Sequence, residues 1–198
     1  TELKFFDDLL KGGIIKQSLL TIMAAPGSGK TSLCAQIAEA MASNKKSIIY
    51  LNFEMSREQM LERAISARCY KGNGIDKSAA EILQGYKWTD PERDAILKVI
   101  EEYHKTNYEY IQYNPPGTTN DLNGLLAFLE SIGKEAIQSK AEAPAIIIDY
   151  IHLISGTDNL QQAEIIKQAV KGLKDYAIKY DTFVIAISAT NRETNKTK

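Results

Sequence analysis

Residues 24–33 read AAPGSGKTSL and follow directly on the apolar run Leu19-Leu20-Thr21-Ile22-Met23. Pro26, Gly27, Ser28 and Gly29 cannot pack a core. They nevertheless separate a strand-like run from a stretch that carries Leu33, Cys34, Ile37, Ala38 and Met41 at helical spacing. The pattern is A-x-x-x-x-G-K-T, a phosphate-binding loop with Ala24 where the common form has glycine. A helix start leaves backbone N–H groups unpaired, and the helix dipole adds partial positive charge there. Glycines let the chain wrap so that these groups converge on an anion, Lys30 supplies a full charge, and the Thr31 hydroxyl is suited to holding Mg²⁺. The reading assigns contact with a nucleoside triphosphate such as ATP to Ala25, Pro26, Gly27, Ser28, Gly29, Lys30, Thr31 and Ser32.

Outward from the loop, apolar runs rich in β-branched residues recur at 48–53, 108–113, 145–149 and 182–188, in addition to 19–24. Helical patterns lie between them. Alternation of this kind predicts an α/β fold, a doubly wound, mainly parallel sheet with helices on both faces. Four of the five runs are short and nearly all apolar, as strands covered on both faces should be. Ser56-Arg57-Glu58-Gln59 and Ser78-Ala79-Ala80-Glu81 have the form of capping boxes, and Asp90-Pro91 suggests a capping oxygen before a proline at the first helical position. Stripes at 120–140 and 160–180 predict two further helices, while Lys71-Gly72-Asn73-Gly74 and Asn114-Pro115-Pro116-Gly117 read as turns. The segment 71–107 inserts helices between the second and third strands, to cover the sheet edge or to form a subunit contact.

Two carboxylates stand out. Ala145-Ile146-Ile147-Ile148-Asp149 is an apolar strand ending in an acid. Ligands of open α/β sheets sit at the carboxyl ends of strands, where Asp149 would meet a Mg²⁺-bound water; alone, it could simply cap a turn. Glu54, in Asn52-Phe53-Glu54-Met55-Ser56, closes the second strand just before a capped helix. It could orient and deprotonate an attacking water for in-line displacement, or serve as an acid stabilising the helix N-terminus.

The chain has 198 residues, 44% hydrophobic and 25% charged, which predicts one globular domain spanning 1–198. No apolar run approaches the roughly 18 residues of a membrane span, and TELKFFDDLLKGG has acids where a signal peptide needs bases, so the expectation is a cytoplasmic protein without a membrane partner. Cys34 and Cys69 are too far apart for a C-x-x-C pair, and Cys34 is read as a small buried hydrophobe. With a net charge of −1, bulk electrostatics does not announce nucleic acid.

Taken in order, AAPGSGKT, IIYLNFEMSREQMLERAIS, IIIDYIHLI and FVIAISATNR resemble the ATPase domain of DnaB-type hexameric replicative helicases, a branch of the RecA-like P-loop family. The resemblance runs from about Phe6 to Arg192. It implies a RecA-like fold, ATP and Mg²⁺ as cofactors, single-stranded DNA as partner and a homo-oligomeric, hexameric ring. It further implies that Glu54 is the catalytic base, Lys30 and Thr31 contact phosphate and Mg²⁺, Asp149 is the acid behind the metal, and Arg63 buttresses the site. Arg192 would lie near a loop facing the DNA channel; read from the residues alone, its polar tail is a frayed terminus and Arg63 a solvated helix face. Three departures are visible. Ala189 stands where the family usually has Gln, His152 where it often has Gln, and the chain stops at Lys198, before the family's arginine finger and final strand, so the C-terminal part of the fold is expected to be incomplete. Sibling RecA-, RadA- or KaiC-like ATPases share the loop and Asp149 but fit E-M-S with Arg63 less well, and Ala189 with the missing finger would suit a nucleotide-gated binding subunit with little catalysis.

Overall fold

The computed structural model describes residues 3–84, 88–107, 109–156 and 160–189. Along the chain run α1 (Lys4–Leu9), β1 (Ser18–Ala24), α2 (Lys30–Ser43), β2 (Ile48–Asn52), α3 (Arg57–Asn73), α4 (Ala79–Gln84), α5 (Asp90–Thr106), β3 (Ile111–Tyr113), α6 (Leu122–Ser139), β4 (Ala145–Asp149), α7 (Gln162–Lys179) and β5 (Phe183–Ala189). The five strands form one sheet in the order β1-β5-β4-β2-β3, and every neighbouring pair is parallel.

Successive side chains of a strand point to opposite faces, and the core divides accordingly. Ile48 and Tyr50 of β2, Ala145 and Ile147 of β4, and Ile185 and Ile187 of β5 pack with Cys34, Ile37, Ala38 and Met41 of α2. Ile49, Leu51, Ile146, Ile148, Val184 and Ala186 pack on the other face with Leu125 and Leu129 of α6 and Ala169 and Leu173 of α7. β2, β4 and the centre of β5 are buried throughout, which is why they read as unbroken apolar runs. β1 departs from the expectation of two covered faces: it forms one edge of the sheet among the described residues, and its Thr21 and Met23 are exposed.

Parity also sorts the polar ends of the strands. Asn52 and Asp149 are paired in register and continue the Ile48/Tyr50 and Ala145/Ile147 series, so both side chains emerge on the α2 face. The helix that starts at the glycine loop packs on that face, and its Thr31 hydroxyl meets Asp149.

α3, α4 and α5 carry a core of their own, built from Ala64, Ile65, Cys69, Ile82, Ile96, Val99 and Tyr103. Both serine boxes form as expected: Gln59 N–H donates to Ser56 Oγ at 3.3 Å while Ser56 N–H donates to Gln59 Oε1 at 2.9 Å, and Ser78 and Glu81 repeat the exchange. α5 is capped one residue earlier than expected, by Thr89 and not Asp90, with Pro91 inside the first turn. Reciprocity decides this. Thr89 has Glu92 three residues on, whose Oε2 accepts from the Thr89 N–H at 2.8 Å, whereas Asp90 has Arg93, which has no acceptor. The expected turn at 71–74 shrinks to its last residue: α3 continues through Asn73, and Gly74 alone takes the left-handed cap at φ 65°. α1 is a helix the residue pattern did not announce; it is six residues long, lacks a side-chain cap and is anchored by buried Phe6.

Candidate functional site

Gly29 occupies the N-cap of α2 at φ 90°, and Gly27 lies at φ 77°. Both are in the left-handed region that only glycine enters cheaply. A Cβ at either position would meet nothing within 4 Å, so the requirement for glycine is torsional. Lys30 folds across the base of the loop, its Nζ donating to the carbonyls of Ala24 and Ala25 at 2.8 Å each.

In the first turn of α2 the Thr31 hydroxyl donates to Asp149 Oδ2 at 2.7 Å. Asp149 is buried at the end of β4, and the same oxygen also accepts from the Tyr50 hydroxyl at 3.1 Å and Asn52 Nδ2 at 3.2 Å. Three donors on one oxygen fix the carboxylate rigidly. Burial, with the charge of Asp149 adding to it, holds the Tyr50 hydroxyl well above its ordinary pKa, so it remains a donor. The same two causes push the Cys34 thiol up to about 12; it is a buried hydrophobe, as expected, and not a nucleophile.

Thr31 has one proton and gives it to Asp149, which leaves the lone pairs of its oxygen for a cation. Among the described residues no three His, Cys, Asp or Glu side chains gather into a metal cage. An oxygen-only pair of one hydroxyl and one carboxylate is what Mg²⁺ uses when phosphate supplies the rest of its shell, so the residues present fit that ion.

Glu54 is exposed two residues beyond the Asn52–Asp149 pair, in the turn between β2 and α3. Its backbone N–H and that of Met55 both donate to Asn52 Oδ1, at 2.9 and 2.7 Å. Across the sheet edge the Asn114 side chain behaves like an extra strand residue. Its Oδ1 accepts from Asn52 N–H at 2.8 Å, and its Nδ2 donates to the carbonyls of Asn52 at 2.9 Å and Met55 at 3.1 Å. Sequence reasoning missed Tyr50, Asn52 and Asn114. For Asn52 the available signal was polarity at the end of an apolar strand, which a buried position does not tolerate without partners; Tyr50 in mid-strand and Asn114 in a turn carried none.

The structure thus brings together the loop, Thr31, Asp149 and the Glu54 turn. Arg63 is exposed on α3 and lines, with Thr31 and Ser32, a groove of ≈ 350 Å³ between α2 and α3. His152 is exposed in the short turn Ile151–Leu153, its ring 6.2 Å from that of Tyr150. Ala189 pairs in register with Ala24 at the root of the loop. Arg192 lies outside the described residues.

A parallel sheet of this strand order, with a glycine loop after β1 and an acid ending β4, is the RecA-like ATPase fold. A solved structure of a DnaB-like replicative helicase superposes with a TM-score of 0.72 at 20% identity, covering 94% of this chain and 42% of that one. Residues 1–198 match the model of the DnaB-like helicase C-terminal domain, and the chain belongs to that family. The replicative DNA helicase DnaB of Nostoc sp. (strain PCC 7120 / SAG 25.82 / UTEX 2576) is 26% identical over 190 residues, which make up 95% of this chain and 20% of that protein. The DNA repair protein RadA of Bacillus subtilis (strain 168) is 26% identical over 143 residues, 68% of this chain and 29% of that protein. The chain spans a fifth of the length of the Nostoc relative.

Proposed function

We propose that residues 1–198 act as one RecA-like unit that binds and hydrolyses Mg·ATP, the motor domain of a cytoplasmic DnaB-type replicative helicase that works on single-stranded DNA as a hexameric ring of identical subunits. The observation that carries this reading is the 2.7 Å bond from Thr31 to Asp149 at the mouth of the glycine loop. It joins the hydroxyl suited to a phosphate-borne Mg²⁺ to the acid that would accept from a water on that ion.

In this reading the N–H groups from Gly27 to Thr31 and the Lys30 ammonium hold the β- and γ-phosphates, with Ala25, Pro26 and Ser32 completing the loop. The metal, when bound, neutralises charge developing on the phosphate oxygens. Glu54 orients and deprotonates the attacking water. Arg63 supports the loop from the α3 side, and Arg192 faces the nucleic acid. Because an arginine finger supplied by a neighbouring subunit is worth about 10³–10⁵ in rate in related chemistry, turnover belongs to the assembled ring.

The test is ATP binding by calorimetry and ATP turnover by the full-length protein, with and without single-stranded DNA. Heat on addition of Mg·ATP and turnover raised by DNA are expected. Absence of binding overturns the whole reading, and equal rates with and without DNA overturn the motor.

Ala189 favours a second reading, a nucleotide-gated subunit with little turnover, because a methyl group beside the root of the loop cannot donate a hydrogen bond to phosphate. Replacing Glu54 by Gln separates the two: a large loss of turnover supports the motor, while an unchanged slow rate supports the gate. The RadA similarity keeps a recombination ATPase in view, which strand exchange without unwinding would favour.

A further inference from the structure

One buried carboxamide touches both acids' supports. Asn52 is 3% exposed; its Oδ1 takes the N–H groups of Glu54 and Met55, and its Nδ2 gives a hydrogen bond to Asp149 Oδ2. The orientation of the amide follows from its partners, since two N–H groups can meet only its oxygen and a carboxylate only its nitrogen. A carboxamide buried at the end of an apolar strand is costly unless its hydrogen bonds are made, and here both ends are engaged. From the other side Asn114 holds the backbone of Asn52 and the carbonyl of Met55, so the turn is gripped on two flanks.

We propose that Asn52 is a positioning residue for ATP hydrolysis, registering the turn that carries Glu54 against the carboxylate of Asp149. The inference rests on the reading of Glu54 as the base. A base acts only within hydrogen-bond reach of the proton it removes, and Glu54 itself sits exposed on a turn. Fixing the backbone of that turn to the acid beside the metal holds the attacking water and the transferred phosphoryl group at one separation. Nucleotide affinity is carried mainly by the loop and Lys30, to which Asn52 makes no hydrogen bond, and Asp149 keeps its donors Thr31 and Tyr50 when Asn52 is removed.

Two variants of the full-length protein test this: Asn52→Ala, which removes both links, and Asn52→Ser, whose shorter hydroxyl can still accept from an N–H two residues on but cannot span to Asp149. Steady-state ATP turnover, calorimetric affinity for Mg·ATP and amide hydrogen exchange at Glu54 and Met55 are measured. A misplacement of about 1 Å costs about 100-fold, so N52A is expected to lose about 10- to 100-fold in kcat. Its affinity for Mg·ATP stays within about twofold of the unaltered protein, as for a residue that acts only on the transition state. Exchange protection at Glu54 and Met55 disappears in N52A and survives at Glu54 in N52S, whose kcat lies between the other two. An N52A protein that keeps its kcat, or that loses affinity and kcat together, overturns the proposal. Full recovery of kcat in N52S overturns the link to Asp149, and should N52A fail to fold, N52S decides alone. An unaltered protein that binds Mg·ATP but never hydrolyses it removes the underlying reading, an outcome distinct from one in which it hydrolyses ATP and N52A keeps pace.

Discussion

The Thr31 hydroxyl and Asp149 Oδ2, 118 residues apart in the chain, lie 2.7 Å from one another. The bond joins the first turn of α2 to the end of β4, and with it the phosphate loop to the centre of the sheet. Tyr50 donates to the same oxygen from the buried interior of β2, so one acid is served by a hydroxyl at the mouth of the site and another beneath it.

These two donors are separable. Thr31→Ala and Tyr50→Phe each remove one hydrogen bond to a charged acceptor, and each is expected to cost about 1.5–3 kcal/mol of folding stability in denaturant titrations. Only Thr31→Ala is expected to raise the Mg²⁺ concentration needed for half-maximal ATP binding. An equal shift in Tyr50→Phe would show that the Thr31 oxygen does not face the metal.

Gly29→Ala tests the loop through its backbone. At φ 90° with open space around it, the added methyl meets no atom, so the cost is torsional, about 1–2 kcal/mol. If the loop relaxes to relieve it, the N–H groups no longer converge, and the affinity for Mg·ATP falls along with stability. Calorimetry that finds affinity intact would count against the cradle.

Gly133 makes a steric prediction on the opposite face of the sheet. A Cβ there would clash with Cε2 and Cζ of Tyr180, a contact the ring cannot yield while its hydroxyl holds Glu130 Oε2 at 2.8 Å. Gly133→Ala gains about 1 kcal/mol in helix propensity. Overpacking costs about 1–3 kcal/mol. The expected outcome is a net loss, read as a lower denaturation midpoint.

The same corner supplies a pH dependence. The hydrogen bond from Lys179, then that from Tyr180, lower the Glu130 carboxyl from its ordinary 4.5 to about 2. With the folded-state value depressed, the unfolded chain binds the extra proton first as pH falls. The contribution of Glu130 is therefore fully present above about pH 4.5 and drains away between there and about pH 2. Acid unfolding of Glu130→Gln compared with the unaltered protein should differ by a constant above that window and by a shrinking amount within it.

What the residues alone revealed follows from how local each signal is. The glycine loop, the strands expected at 48–53 and 145–149 and the serine boxes are written in contiguous residue types; the strands form at Ile48–Asn52 and Ala145–Asp149, and both boxes close as expected. The cap of α5 depended on a reciprocal partner three residues away, which the Asp90-Pro91 pair obscured. α1 has too few turns to display a period and exists because Phe6 packs beneath α2. The exposure of β1 could not be read from its composition, because which strand lies at an edge is a property of the strand order. The grip of Asn52 and Asn114 on the Glu54 turn spans 62 residues of chain, and nothing in either neighbourhood marks the two as partners.

The clamp around that turn is made of carboxamides and peptide groups, with Asp149 its one ionic member. Amides neither gain nor lose protons over the range in which enzymes are assayed, and counter-ions hardly weaken their bonds. The scaffold is accordingly blind to buffer composition. If the chain turns over ATP as proposed, any salt dependence of its rate is therefore expected to arise outside this turn, which makes salt titration an instrument for the charged contacts elsewhere.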